Sequence, residues 1–132
     1  MIKQVFNVEN YWKVVVYYSV DYHFFGVIAE DLLDIGFSLR SIDSLYDIMH
    51  SGKAKAVTCS SPHNHISIVL FNHHETKGDY INSIVHEAEH IKQSMLKAYN
   101  VSDSGEPPAY TIGYLVGRMW EVVGKKLLGC NC

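Results

Sequence analysis

Two hydrophobic patterns divide this chain into strands and helices. Residues 3–8 and 11–22 are rich in β-branched and aromatic side chains and predict two strands joined by a tight turn at residues 9–10. Residues 54–59 and 66–71 have the same character and flank a link of turn-forming residues. These four segments therefore predict two β-hairpins.

Between and after the hairpins, apolar residues recur every three or four positions, a spacing that predicts helices. A short helix is expected at residues 25–35, because the apolar positions stop before Gly36, a residue suited to the end of a helix. A second short helix is expected to be capped by Ser41 or Asp43 and to end at Gly52.

The C-terminal part of the chain predicts two long helices. In residues 79–100 the apolar side chains step by three and four, and Asp79 supplies a favourable negative charge at the first turn. A polar loop follows at residues 101–105. The next two prolines suit the first turn of a second helix, which is expected to run to about residue 128.

Composition favours one globular domain that spans residues 1–132. The chain is 48% hydrophobic and 19% charged, which suffices for a buried core and excludes disordered, collagen-like and disulfide-scaffold classes. The predicted elements give an α+β fold, with a small mixed or antiparallel sheet packed on helices. The net charge of −3, without a long run of either sign, lacks the basic stripe that nucleic acid requires. We therefore expect no nucleic-acid partner.

The sequence also predicts the cellular compartment of the protein. Its start lacks the apolar segment of a secretory signal, and no run reaches the length of a membrane span. Cys59 stands alone, while Cys130 and Cys132 lie two residues apart near the end, an arrangement that suits free thiols better than a tail metal site. We expect a cytoplasmic protein without membrane partners.

The candidate chemistry lies in the first long helix, where residues 86–90 match the pattern H-E-x-x-H. At about 100° per residue, His86 and His90 lie on one face one turn apart, so both imidazoles can reach a single tetrahedral metal ion. Glu87 lies about 100° to one side and can take a proton from a metal-bound water. The apolar stripe of this helix centres opposite the histidines, which predicts that they face a polar cleft.

A catalytic zinc site needs a third protein ligand, and Glu106 at the start of the second long helix is the candidate. An antiparallel return of the chain would bring it towards the histidines. Asp103 is a competing carboxylate that is better explained as a loop or capping residue. Tyr110, one turn after Glu106, could orient a ligand or stabilise an oxyanion, or it could be a buried aromatic residue.

Two glycines share the helix face of Glu106. Gly113 and Gly117 each cost helix stability, so they indicate the close approach of another group. That group could be the helix that carries the histidines, and a packing seam of small residues without any metal would predict the same contact.

The run at residues 86–90, followed by Glu106 and the helix start at residues 106–113, resembles the active-site core of the gluzincin metallopeptidases. The similarity is greatest to small ImmA/IrrE-like zinc peptidase domains, whose glutamate helix begins with E-x-x-A-N; here Tyr110 replaces the expected Asn or Asp. The resemblance covers residues 66–128.

It implies a zincin-like fold in which His86, His90 and Glu106 bind zinc and Glu87 is the general base. It also implies an edge strand that pairs with extended substrate, and Ile66–Phe71 matches that strand by its order in the chain. Ile66 and Ile68 are accordingly expected to contact substrate.

The other six histidines give weaker indications of a functional role. His63 and His65 lie in the link between the strands of the second hairpin, as turn histidines or as substrate-binding residues. Of the two, His65 is the candidate for substrate binding. Of His73 and His74, which are adjacent, at most one can face the site. The remaining two, at positions 23 and 50, are expected at the surface.

The sequence thus predicts a zinc metallopeptidase that hydrolyses a peptide or protein substrate. One alternative is a zincin-like module that binds metal without catalysis and acts in regulation or interaction. Another is a helical-packing domain with no metal. Metal content distinguishes the last of these from the other two.

Overall fold

The computed structural model describes residues 1–128 of the chain. It contains four strands and four α-helices, together with a short 3-10 helix and a terminal π-helical turn. The strands are β1 (Ile2–Val8), β2 (Trp12–Tyr18), β3 (Ala56–Ser61) and β4 (Ile66–Phe71). The α-helices are α1 (Phe25–Asp34), α2 (Leu39–His50), α3 (Lys77–Ala98) and α4 (Glu106–Val122). The two shorter helical segments are Tyr22–Phe24 and Val123–Leu127.

The four strands form one mixed sheet in the order β1-β2-β4-β3. β1 pairs antiparallel with β2, and β3 pairs antiparallel with β4, so both predicted hairpins are confirmed. The two hairpins join through β2 and β4, which run parallel with Lys13 opposite Ile66 and Tyr18 opposite Phe71. β2 and β4 can run parallel because α1, α2 and β3 separate them in the chain. β3 starts at the end of the sheet where β2 stops and runs back to the end where β4 begins.

The four helices lie where the pattern predicts them, although α4 ends at Val122 and a π-helical turn continues only to Leu127. Gly36 follows α1 with a φ of 100°, as expected for a residue that ends a helix. The cap of α2 is Ser38, whose hydroxyl accepts a hydrogen bond from the Ser41 amide at 3.1 Å, so the prediction of Ser41 or Asp43 as the cap is wrong. Thr76 caps α3 in the same way, accepting from the Asp79 amide.

The sheet lies between two helical layers and has a separate apolar core on each face. Helices α1 and α2 cover one face, where Val15, Tyr17 and Ile68 are buried. Helices α3 and α4 cover the other, where Val14, Val16 and Val69 are buried, because side chains alternate across a strand. The α+β class is therefore confirmed.

The position of β4 corrects one expectation. Ile66–Phe71 lies inside the sheet between β2 and β3, so the prediction that it is the edge strand is wrong. The edge on this side of the sheet is β3. Ile68 is fully buried against the α1 and α2 layer, on the face of the sheet opposite α3. The order of the strands in the chain did not reveal this, because β3 precedes β4 in sequence but lies at the edge of the sheet, on the outer side of β4.

No helix within residues 1–128 is both long and apolar enough to cross a membrane.

Candidate metal centre

The two histidines of the motif lie together on the exposed face of α3. His86 Nε2 and His90 Nε2 are 3.2 Å apart, and their rings meet edge to face with centroids 4.8 Å apart. Two nitrogen ligands of one tetrahedral zinc, each about 2.0–2.1 Å from the ion, lie roughly 3.3 Å apart. The pair therefore has the spacing that a shared metal ion requires.

The face on which the histidines lie follows from the helix periodicity. The buried residues of α3 include Ile84, Ala88 and Ile91, which pack under the helix in the core that it shares with α4. His86 and His90 are exposed on the other side. The prediction that they point away from the core is confirmed.

Glu87 lies beside the pair, and its burial was not predicted. Its side chain is only 4% exposed and accepts a hydrogen bond of 2.9 Å from the Thr58 hydroxyl on the edge strand β3. A signal was present in the sequence, because Glu87 lies about 40° from Ile91 on the helix and so borders the buried stripe. The contact with Thr58 orients the carboxylate between the helix and the strand.

A polar cleft extends from His90 along the junction of α3 with β3. It has a cavity volume of about 340 Å³ and is lined by residues from both elements. Thr58 and Ser60 come from the strand, and Gln93, Ser94 and Lys97 continue the histidine face of the helix. The expected polar cleft is thus present beside His90, while His86 is not among its lining residues.

Glu106 does not lie beside the histidines. It is the first residue of α4 and shares a groove with Leu96 and Tyr99, which lie about 120–180° around α3 from His90. Within residues 1–128 no group of three or more His, Cys, Asp or Glu side chains is placed to hold a metal ion. The structure therefore does not bring Glu106 to the pair, because the chain turns back only after two further turns of α3.

Asp103 has the loop role that was favoured for it. Its carboxylate lies 2.9 Å from Lys92 Nζ, which also pairs with Glu89 at 2.8 Å. This three-residue ion cluster holds the loop before α4 against the side of α3.

The other residues assigned to α4 also lie away from the histidines. Tyr110 is 72% exposed and lines the groove that contains Glu106, so the structure does not bring it to the pair, and it is not a buried aromatic residue. Gly113 and Gly117 are exposed, and a Cβ atom built on either would have no neighbouring atom within 4 Å. The prediction of close approach at these glycines is wrong.

The remaining histidines are distributed over the molecule. His65 stacks on Trp12 with centroids 5.7 Å apart, and its Nδ1 lies 3.1 Å from the Tyr99 hydroxyl. It therefore packs against the start of β2 and the end of α3. His63 is exposed in the same turn. The site thus consists of the pair at positions 86 and 90.

His74 is buried, which the sequence did not indicate. Its Nδ1 lies 2.6 Å from the Asn72 carbonyl oxygen and its Nε2 lies 2.7 Å from the Ser83 hydroxyl. Burial lowers the pKa of His74, so the neutral ring bridges the end of β4 to the first turns of α3. It therefore positions the helix that carries the motif.

Cys59 is a buried free thiol on β3, and burial raises its pKa to about 11, with the nearby Glu87 carboxylate as a second cause. The expectations for Cys130 and Cys132 fall outside the described residues.

Comparison with known proteins returned no match: no protein-family model, no curated protein and no solved structure is similar to this chain.

Proposed function

We propose that this chain is a zincin-like, zinc-dependent metallopeptidase in which His86 and His90 hold the ion and Glu87 is the base. The observation that carries the proposal is the 3.2 Å separation of the two Nε2 atoms on an exposed helix face. The H-E-x-x-H spacing alone would allow many ring orientations. In the structure the two Nε2 atoms lie 3.2 Å apart, the separation that two ligands of one tetrahedral ion have.

The neighbouring edge strand supports a peptide as the substrate. One side of β3 pairs with β4, and within residues 1–128 no strand pairs with its other side. An extended peptide can add to such an edge through backbone hydrogen bonds. In this arrangement its scissile bond would lie near Thr58, and therefore near Glu87 and the histidine pair.

Each residue of the site has a definite task in this mechanism. Zinc, when bound, supplies a Lewis acid that polarises the peptide carbonyl. Glu87 accepts a proton from the attacking water at a carboxylate oxygen and then delivers it to the leaving amine. Thr58 donates a hydrogen bond to Glu87 and holds that carboxylate between α3 and β3.

A non-catalytic metal-binding module is the second candidate, favoured by one specific observation. Catalytic zinc sites have three protein ligands, whereas the residues described here supply two beside one another. In such a module the histidine pair would bind metal, and the third position would belong to a partner protein.

Metal analysis tests whether the pair binds zinc. Protein without a histidine tag should bind about one zinc per chain, and the double variant His86→Ala/His90→Ala should bind almost none. The matched control is His23→Ala/His63→Ala, which removes two exposed histidines outside the site and should leave the zinc content unchanged. Equal zinc content in both double variants would contradict the proposal.

Hydrolysis then separates the two candidates. Zinc-loaded protein should cleave casein, and Glu87→Gln should keep its zinc while losing about 10²–10⁴-fold in rate, the usual contribution of a general base. Zinc binding without any cleavage of casein would favour the non-catalytic module.

A further inference from the structure

A second cavity lies on the side of α3 away from the histidines. It is built by the β1–β2 turn, the end of α3 with the loop that follows it, and the first three turns of α4. Its volume is about 750 Å³, which is within the range of ligand-binding sites and larger than the cleft beside His90. Tyr99 in its wall lies about 180° around the helix from His90, so the two cavities are separate.

Four of the twelve lining residues are tyrosines, and we call this cavity the tyrosine groove. The rings are Tyr11, Tyr99, Tyr110 and Tyr114. Tyr99 donates a hydrogen bond of 2.8 Å to the Tyr11 carbonyl oxygen, and Tyr114 donates one of 3.0 Å to the Asn7 carbonyl oxygen. Two of the rings are thereby fixed in place. Pre-oriented tyrosines are typical of binding surfaces, because they offer a large contact area at a low cost in side-chain entropy.

The charge in the tyrosine groove has one sign. Glu9 and Glu106 line it without any Lys or Arg, and within residues 1–128 neither carboxylate forms a salt bridge. One base, Arg118, donates to the Tyr114 hydroxyl, lies over the Tyr114 ring at 5.9 Å from its centroid and is 3.6 Å from Glu121. The rings of Tyr11, Tyr99 and Tyr110 therefore remain for a ligand cation. Carboxylates together with the faces of tyrosine rings attract a cation and repel an anion.

The openness of the tyrosine groove indicates the kind of ligand. Tyr110 is 72% exposed, Tyr11 is 58% exposed and Tyr99 is 41% exposed. Sites for small molecules usually enclose most of their ligand, whereas a peptide segment can lie across an open groove and contact exposed rings.

We propose that the tyrosine groove binds a peptide segment of a partner protein in which an arginine or lysine is flanked by large apolar residues. The basic side chain lies over a tyrosine ring and pairs with Glu9 or Glu106, and the apolar neighbours cover the remaining rings. This assigns Glu106 to recognition of the partner and not to the metal.

Two peptides that differ only in charge test the proposal. The probes are acetyl-Gly-Leu-Arg-Leu-Gly-amide and the same peptide with citrulline, which is neutral and nearly isosteric with arginine. Amide chemical shifts of the whole chain are followed during titration. The arginine peptide should bind about tenfold more tightly than the citrulline peptide, and the shifts should centre on the tyrosine groove.

Variants locate the effect. Glu9→Gln/Glu106→Gln should abolish the preference for arginine, and Tyr110→Ala should weaken binding of both peptides. The control Glu30→Gln/Glu75→Gln removes the same charge from exposed positions elsewhere and should keep the preference. Equal binding of the two peptides, no binding of either at millimolar concentration, or a preference that survives in Glu9→Gln/Glu106→Gln would overturn the proposal.

The zinc proposal can fail independently. The arginine peptide should bind equally well to His86→Ala/His90→Ala, since the histidines lie on the opposite side of α3. Zinc analysis of Glu106→Gln gives the converse check, because the ion should be retained if this glutamate serves the tyrosine groove.

Discussion

Glu87 is a charged residue whose place in the molecule depends on one neighbour. Burying a carboxylate is costly unless it is hydrogen-bonded, and the described partner of Glu87 is the Thr58 hydroxyl. This bond links the helix of the histidine pair to the edge strand where a substrate would lie. The same contact therefore serves stability and the geometry of the candidate site.

Replacement of Thr58 by valine should destabilise the fold. Valine keeps the shape and suits a strand, but it leaves the buried carboxylate short of a partner, and we expect a loss of about 2 kcal/mol in the free energy of unfolding. Urea titration measures this loss. Thr58→Val/Glu87→Met removes both partners and should recover much of it, whereas an unchanged midpoint in Thr58→Val would show that the bond contributes nothing.

At the scale of elements, α4 has an unexpected relation to α3. It packs on the same face of the sheet and covers β1 and β2, where the Gln4 amide donates to the Arg118 carbonyl oxygen. Its glycines, however, face open space and not α3. Helix periodicity predicted α4 itself. The spacing of its two glycines wrongly indicated that this face of α4 packs closely against another group, since an exposed glycine and a closely packed one look alike in sequence.

The open space predicts a stabilising change. Gly113→Ala and Gly117→Ala should each raise the free energy of unfolding by up to about 1 kcal/mol, because alanine has the higher helix propensity and meets no neighbouring atom. Thermal unfolding followed by circular dichroism measures the gain. Gly36→Ala is the contrasting control and should destabilise, because its φ of 100° disfavours a side chain. Destabilisation by both helix variants would instead indicate a contact at this face.

At the scale of the whole molecule, the two-sided sheet buries ionisable groups that must stay neutral. Cys59 lies against the α1 and α2 core, and Tyr18 lies against the α3 and α4 core. Burial raises the pKa of both groups above their ordinary values. Each therefore keeps its proton in the folded state at a pH where the unfolded chain has lost it.

Stability should consequently fall at alkaline pH. The contribution of Cys59 is fully present below its unfolded pKa of 9.0 and is lost as the pH rises towards its folded value of about 11. The loss at pH 11 is on the order of 2 kcal/mol for this thiol. Urea titrations of wild-type protein and Cys59→Ala between pH 8 and 11 measure it; the variant should fall less steeply, and parallel profiles would contradict the assignment.

The sequence alone determined what depends on local periodicity. Runs of β-branched and aromatic residues around turn-forming links specified the two hairpins, and steps of three and four specified the helices and the exposed face of His86 and His90. It also limited the candidate metal-binding histidines to two, since only His86 and His90 combined ligand spacing with a polar helix face.

Tertiary structure decided the relations between distant segments. The parallel pairing of β2 with β4 made β3 the edge strand, and packing of α3 on β3 buried Glu87 beside Thr58. The length of α3 beyond His90 carried Glu106 to the tyrosine groove. These outcomes depend on which surfaces bury the most apolar area together, and no local pattern in the chain encodes that choice.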